Sequence, residues 1–243
     1  MTDAIQPTAS APSRGLLGRA IGVIFAPRAT YADVAAHPRV LGALLTIVVI
    51  IGAANFAFLS TEIGQRAMVD QQLTTLESFG VTVTDEMVTN MERRASRGAY
   101  FSLAGIAVFV PVVMAILAGI VLAVFNAVMG GDASFKQAYA IVVHSGYLGA
   151  LQVLFVTPLN YVRESMSSAT SLAVFLPMVD DTSFPGMVLS SIDFFRIWST
   201  LSLAIGLAVL YKRRTAPIAW SFLAVYVIIV LIVAAVRAAV SGA

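Results

Sequence analysis

The chain has 243 residues, 59% hydrophobic and only 12% charged, with a mean hydropathy of +0.89. A soluble domain carries about 25% charge, so this composition excludes a soluble enzyme domain, a disordered regulator and a collagen-like fibre. The absence of cysteine excludes a disulfide framework and a thiolate site, and a net charge of +2 is too small for a nucleic-acid partner, which leaves an integral membrane protein.

The first thirteen residues are polar and carry only Asp3 as a charge. The apolar run Gly15 to Ala26 is split by Arg19 and makes a poor signal peptide. Read as a helix, it places Leu16, Leu17, Ala20, Ile21, Ile24 and Phe25 on one face, with Arg14 beside that stripe and Pro27 at its end. This pattern suits an amphipathic helix lying in the cytoplasmic interface, its arginines near anionic headgroups. A connecting helix of a membrane bundle gives the same pattern. A second short piece, Ala29 to Ala36, leads through Pro38 into the membrane. Residues 1–39 therefore read as a cytoplasmic arm and 40–243 as a membrane domain.

A helix needs about 20 mostly apolar residues to cross about 30 Å of hydrocarbon. Five segments qualify: 40–59, 101–129, 139–159, 192–211 and 216–236. The expectation is thus an all-α polytopic protein with five transmembrane helices. The second span would be roughly 44 Å long at about 1.5 Å per residue, so it tilts, protrudes or bends, and Pro111 is the obvious bend. Thr157 and Pro158 are expected to stop the third span. The fourth reaches spanning length only by including Ile192 to Arg196. Thr215 is placed to cap the fifth, with Pro217 in its first turn.

Two long loops, 60–100 and 160–191, fall on the other side from the arm. In the first, Met87, Val88, Met91 and Ala95 recur at helical spacing after Thr84 and Asp85, and Leu73 and Leu76 do so more weakly before Gly80. Two short amphipathic helices are expected, as a lid or partner surface, or as a solvated hairpin. In the second loop, the apolar stretch Ala169 to Val179, interrupted by Pro177, is too short to cross and reads as an interfacial or re-entrant piece.

Lysine and arginine set orientation. Arg14, Arg19, Arg28, Arg39, Lys136, Lys212, Arg213 and Arg214 lie on one side with three acids, Asp3, Asp33 and Asp132. The opposite loops hold ten acids and six basic residues, and Arg93, Arg94 and Arg97 run against the trend. The expected topology places the N-terminus in the cytoplasm and the C-terminus outside a plasma or inner membrane. Lys212, Arg213 and Arg214 form the densest basic turn.

No phosphate-cradling glycine loop, H-E-x-x-H or G-x-S-x-G is present, and no carboxylate lies inside a span. Neither catalysis, a cofactor nor a metal site is expected. His144 is the one titratable group inside the membrane and thus a functional candidate. Asn126, Asn55 and Gln152 are the polar residues able to join it in an intramembrane cluster. A neutral histidine satisfied by a neighbouring helix is favoured over a proton relay, since pumps embed carboxylates or basic residues. Small residues recur every four positions at Ala115, Gly119, Ala123 and Ala127, a helix-packing face. Shorter examples are Ser145 with Gly149, Gly146 with Ala150, Ser199 with Ser202 and Gly206, and Ala234 with Ala238. Such faces serve packing within one chain or between chains.

Three stretches resemble the bacterial branch of the Yip1-domain family of five-span membrane proteins: Ile24 to Val40, Phe135 to Phe155 and Ser191 to Leu207. The last carries a D-x-F-x-x-W approach to the fourth span, Asp193 to Trp198. The resemblance implies an all-helical membrane protein without established enzymatic activity. Eukaryotic members are interaction proteins of Golgi and vesicle traffic, some engaging Rab-type GTPases. No GTPase-binding residue is carried over, because a bacterial-type chain would have no such partner. Trp198 suits an interfacial anchor, and Asp193 with Arg196 suits an exposed pair worth about 0–1 kcal/mol.

Two functions are consistent with these features. One is a scaffold or adaptor holding a membrane-protein partner, a second copy or lipid. The other is a small channel, carrier or lipid-handling protein with a polar path near His144, Asn126 and Asn55. Convergence of those residues on a wet cavity would favour the second, and a dry, filled bundle the first.

Overall fold

The structure, a computed structural model, describes residues 14–180 and 183–241. Asp3 and Asp181, counted in the charge distribution, lie outside the described residues. The arm folds as α1 (Leu16–Phe25) and α2 (Pro27–Ala36), hinged at Ala26. Pro27 lacks the N–H that a continuing helix would use, and opens α2 at its first turn instead. The apolar stripe of α1 points outward, with Leu17 75% and Phe25 81% exposed. Arg19, Gly22 and Val23 on the opposite face pack inward.

The first span, α3 (Leu41–Leu59), has the expected bounds within a residue. Thr61 caps α4 (Glu62–Ser78) by accepting from the Gly64 N–H at 3.0 Å. Thr84 then caps α5 (Asp85–Leu122), which runs on as a π-helical segment, Ala123–Val128. The amphipathic piece around Met87 is therefore the start of the second span and not a separate helix. Between it and Phe101 stands only Gly98, which does not break the helix. The rod of 44 residues measures roughly 66 Å at about 1.5 Å per residue, so its polar first third stands clear of a core of about 30 Å. Pro111 lies inside the α-helical part, and the irregular winding falls at Ala123–Val128.

The third span is two helices, α6 (Phe135–Ser145) and α7 (Tyr147–Arg163), which meet at Gly146. Ser134 and Gln137 form a capping box at its start. Pro158 does not end it: α7 continues to Arg163 and closes on Glu164, a left-handed residue at φ 51. One missing hydrogen bond is tolerated where neighbouring helices hold the segment. A short 3-10 turn, Leu172–Phe175, occupies the middle of the apolar stretch that follows. Next comes α8 (Phe184–Ser191), a helix that periodicity did not reveal in the outer loop. α9 (Phe194–Leu210) starts after Asp193, so the fourth span does not include Ile192. Thr215 is the first residue of α10 (Thr215–Ser241) and not a cap ahead of it.

Among the described residues, four helices are long and apolar enough to cross a membrane: α3, α5 with its π segment, α6–α7, and α10. With the shorter apolar α9, the chain is an all-helical polytopic membrane protein. α6–α7 is the central span, with half of its most apolar window buried, against 11–22% in the other three. Tyr31, Ile47, Ile141, Leu148 and Leu207 form the heart of the core. The Tyr31 hydroxyl meets the Ser202 hydroxyl at 2.7 Å, which joins α2 to α9 inside that core.

Polar segments sort to two ends. At one, Gln137 Nε2 donates to the Ala35 carbonyl at 3.2 Å, and Arg213 Nη2 to the Met129 carbonyl at 3.2 Å. At the other, the Arg237 guanidinium sits 5.1 Å over the Phe79 ring, and the Tyr226 hydroxyl donates to the Ser191 carbonyl. The arm, the 129–134 loop and the Lys212–Arg214 turn thus share one end, away from α4 and α8.

Candidate functional site

Among the described residues, no hydrogen bond links any two of His144, Asn126, Asn55 and Gln152. Asn55 Nδ2 donates to the Ile51 carbonyl of its own helix at 3.0 Å. Asn126, in the π segment, donates to the Ala133 carbonyl at 2.7 Å and folds the following loop back on α5. Gln152 Nε2 donates to Asp193 Oδ1 at 3.0 Å. His144 is fully buried, and its Nδ1 lies 2.8 Å from the Ala140 carbonyl. A carbonyl can only accept, so Nδ1 carries a proton, and in the neutral ring Nε2 is then an acceptor. That atom is buried with no protein partner. His144 also lines a cavity of about 190 Å³ together with Arg14, Arg19 and Arg39.

Two polar clusters escape sequence reasoning. The first is at Asp193, which is 1% exposed and forms no ion pair with Arg196. It accepts from the Phe195 and Arg196 N–H groups at 2.8 and 3.2 Å, from Thr170 at 2.6 Å, and from Ser168 and Gln152. It therefore caps α9 and ties the 168–170 segment and α7 to it. Burial pushes its carboxyl upward, but the hydrogen bonds from Ser168, Thr170 and the two N–H groups outweigh this and hold it below the usual carboxylate range. Trp198 lies half-buried one turn on, its ring stacked on Phe195.

The second cluster pairs α1 with α2. Arg19, 2% exposed, donates through Nε to Asp33 at 2.8 Å and through Nη2 to the His37 carbonyl at 3.0 Å. Arg19 thus faces the protein, not the headgroups expected for it. The signal in the sequence was its place on the face opposite the Leu16–Phe25 stripe.

The basic turn docks on the end of α5. Tyr211 stacks on Phe125 at 4.7 Å, and Gly131 packs so closely that an added Cβ would lie 2.6 Å from the Tyr211 ring. Lys212 adopts φ 52, and Lys212 and Arg213 donate their N–H groups to the Val209 and Ala208 carbonyls, closing α9. Lys212, Arg213 and Asp132 line a cavity of about 260 Å³ there, and Arg214 is exposed beside it.

The stripe Ala115, Gly119, Ala123 and Ala127 is not the face through which α5 packs inside the chain. Nothing lies within 4 Å of a Cβ built on Gly119, and Ala123 and Ala127 are exposed. The buried positions are Ala118, Val121 and Phe125. A sequence model of the Yip1 domain family matches residues 21–237, which takes in Arg39, His144, Asp193 and the basic turn. No curated protein and no solved structure matches the chain.

Proposed function

The chain belongs to the Yip1 domain family, and from that premise we propose that it is a non-enzymatic membrane scaffold, holding a protein partner in the bilayer. The observation that carries this reading is the filled interior. Among the described residues, twenty-two buried apolar residues from α1, α2, α3, α5, α6, α7, α9 and α10 form one cluster, and the intramembrane polar residues do not converge: the cavity that His144 lines includes none of Asn55, Asn126 and Gln152. A bundle whose interior is filled by apolar side chains presents surfaces, not a conduit. The basic turn and the arm supply the surface on one end, which the excess of arginine and lysine assigns to the cytoplasm. The membrane is then the plasma or inner membrane, with the C-terminus outside.

The test is a photo-crosslinking amino acid placed at Lys212 in the full chain in intact membranes. A discrete crosslinked protein, recovered again when the crosslinker is moved to that partner, is the expected result. Crosslinks to lipid alone would reject the scaffold. Solute flux in vesicles reconstituted with the purified chain would favour a transport role instead.

A further inference from the structure

The cavity beside His144 opens where the start of α1, the start of α3 and the end of α6 meet. Arg14, Arg19 and Arg39 line it, and no carboxylate does. Asp33 neutralises Arg19, but Arg14 and Arg39 have no ion pair among the described residues. Arg14 is held in place by one Nη, which donates to Thr30 Oγ1 at 3.0 Å, and its other nitrogen stays available. Arg19 is fixed through Nε and Nη2, which leaves Nη1. Two arginines without counter-charge at a membrane boundary attract an anion, and arginine forks are shaped for phosphate. Neither Gly15 nor Val40, the N-caps of α1 and α3, offers a side-chain acceptor, so both helix starts add uncapped N–H groups.

His144 narrows the chemistry. Its unpartnered Nε2 is an acceptor and therefore asks for a donor, which the ionised phosphate of an ester lacks and an alcohol hydroxyl on the same molecule supplies. A volume of about 190 Å³ equals that of roughly six liquid waters at about 30 Å³ each, room for a phosphate with a small alcohol. We propose that this cavity binds a hydroxyl-bearing phosphate ester, its anionic oxygens held by Arg14, Arg19 and Arg39 and its hydroxyl donating to His144 Nε2. A glycerol-type phospholipid headgroup and soluble glycerol phosphate both carry that chemistry. The site does not depend on the scaffold reading, since ligand binding needs no protein partner.

The experiment is native mass spectrometry of the full chain in mild detergent, titrated separately with phosphatidylglycerol, phosphatidylmethanol, phosphatidylcholine and glycerol phosphate. Phosphatidylmethanol has the charge of phosphatidylglycerol without its hydroxyls. One equivalent of phosphatidylglycerol or glycerol phosphate is expected, bound at least tenfold more tightly than phosphatidylcholine. The Arg14→Gln/Arg39→Gln double variant should lose that advantage, and His144→Phe should erase the preference over phosphatidylmethanol alone. Arg39 is exposed, so Arg39→Gln by itself gives a smaller loss of the same sign even if the double variant misfolds. Arg19 is left intact because it holds α1 on α2. Displacement of the lipid by glycerol phosphate identifies a soluble ligand, and resistance to it a headgroup. Equal binding of all four probes, or unchanged binding in Arg39→Gln and the double variant, overturns the proposal.

Discussion

At Gly206 an added Cβ would lie 2.6 Å from Ile141 Cγ2 and 3.1 Å from the Tyr31 ring, because α2, α6 and α9 converge on that one position. Gly206→Leu therefore overpacks the junction and should cost about 1–3 kcal/mol, seen as a lower melting temperature in detergent. Gly119→Leu is its counterpart. With open space around that position, and a helix preference for leucine over glycine of up to about 1 kcal/mol, the melting temperature of the single chain should not fall. Both glycines stand out in the sequence as members of small-residue stripes, and only one is buried. Periodicity does not separate them because lipid and protein interior are equally apolar, so both faces of a span look alike in composition. Asp193 was hidden for a different reason: Gln152, Ser168 and Thr170 lie more than twenty residues away in the chain. An acid beside an apolar run reads as exposed until its partners are known. His144 was legible as the lone titratable group in a span, whereas the arginines around its cavity come from the arm.

Helix ends follow local rules where the cap is a neighbour and depart from them where the bundle supplies support. Thr84 caps as the sequence analysis expects, and Thr61 and the Ser134–Gln137 box cap by the same local chemistry. Pro158 and Pro111 stay inside helices because adjoining helices hold those segments in place. Asp193 joins both cases, as the N-cap of α9 and the acceptor for a distant loop. Asp193→Ala removes the cap, worth about 0.5–2 kcal/mol, and leaves the half-buried Thr170 and Gln152 without their acceptor, each toward the low end of about 1–3 kcal/mol. A loss near the sum of one of each, with earlier proteolysis of the 165–180 segment, is the expected outcome. The pH dependence has a defined sign. The folded carboxyl titrates below its unfolded value, so its stabilisation is complete above about pH 4 and is lost as pH falls through the lower, folded value. Melting curves taken down to pH 3 should therefore drop for the natural chain, while Asp193→Asn, which keeps a capping oxygen but cannot ionise, should show a flatter profile. Equal slopes would mean that Asp193 is not the group responsible.

Across the whole molecule, the scarce charges and the path of α9 together decide which topology to test. α9 has 17 residues, roughly 26 Å at about 1.5 Å per residue, less than a hydrocarbon core of about 30 Å. Its ends nevertheless reach opposite ends of the bundle. Asp193 bonds the 168–170 segment at one, and Arg213, just past its last turn, bonds Met129 at the other. α9 therefore connects the two ends of the bundle, and it packs on α2, α6, α7 and α10, neighbours that shield its ends. A fifth crossing by α9 would place α4 and the Lys212–Arg214 turn on opposite sides, and the orientation proposed above from lysine and arginine puts the turn in the cytoplasm. The chain contains no cysteine, so single introduced thiols report sidedness without background. Gln72→Cys on α4 and Arg214→Cys in the turn both replace exposed residues and should leave the fold intact. In intact cells a membrane-impermeant maleimide should label Gln72→Cys at once and Arg214→Cys only after permeabilisation. The reverse pattern would invert the orientation and move the arginine-lined cavity to the outer leaflet. Labelling of both from outside would mean that α9 fails to cross, leaving four spans and not five.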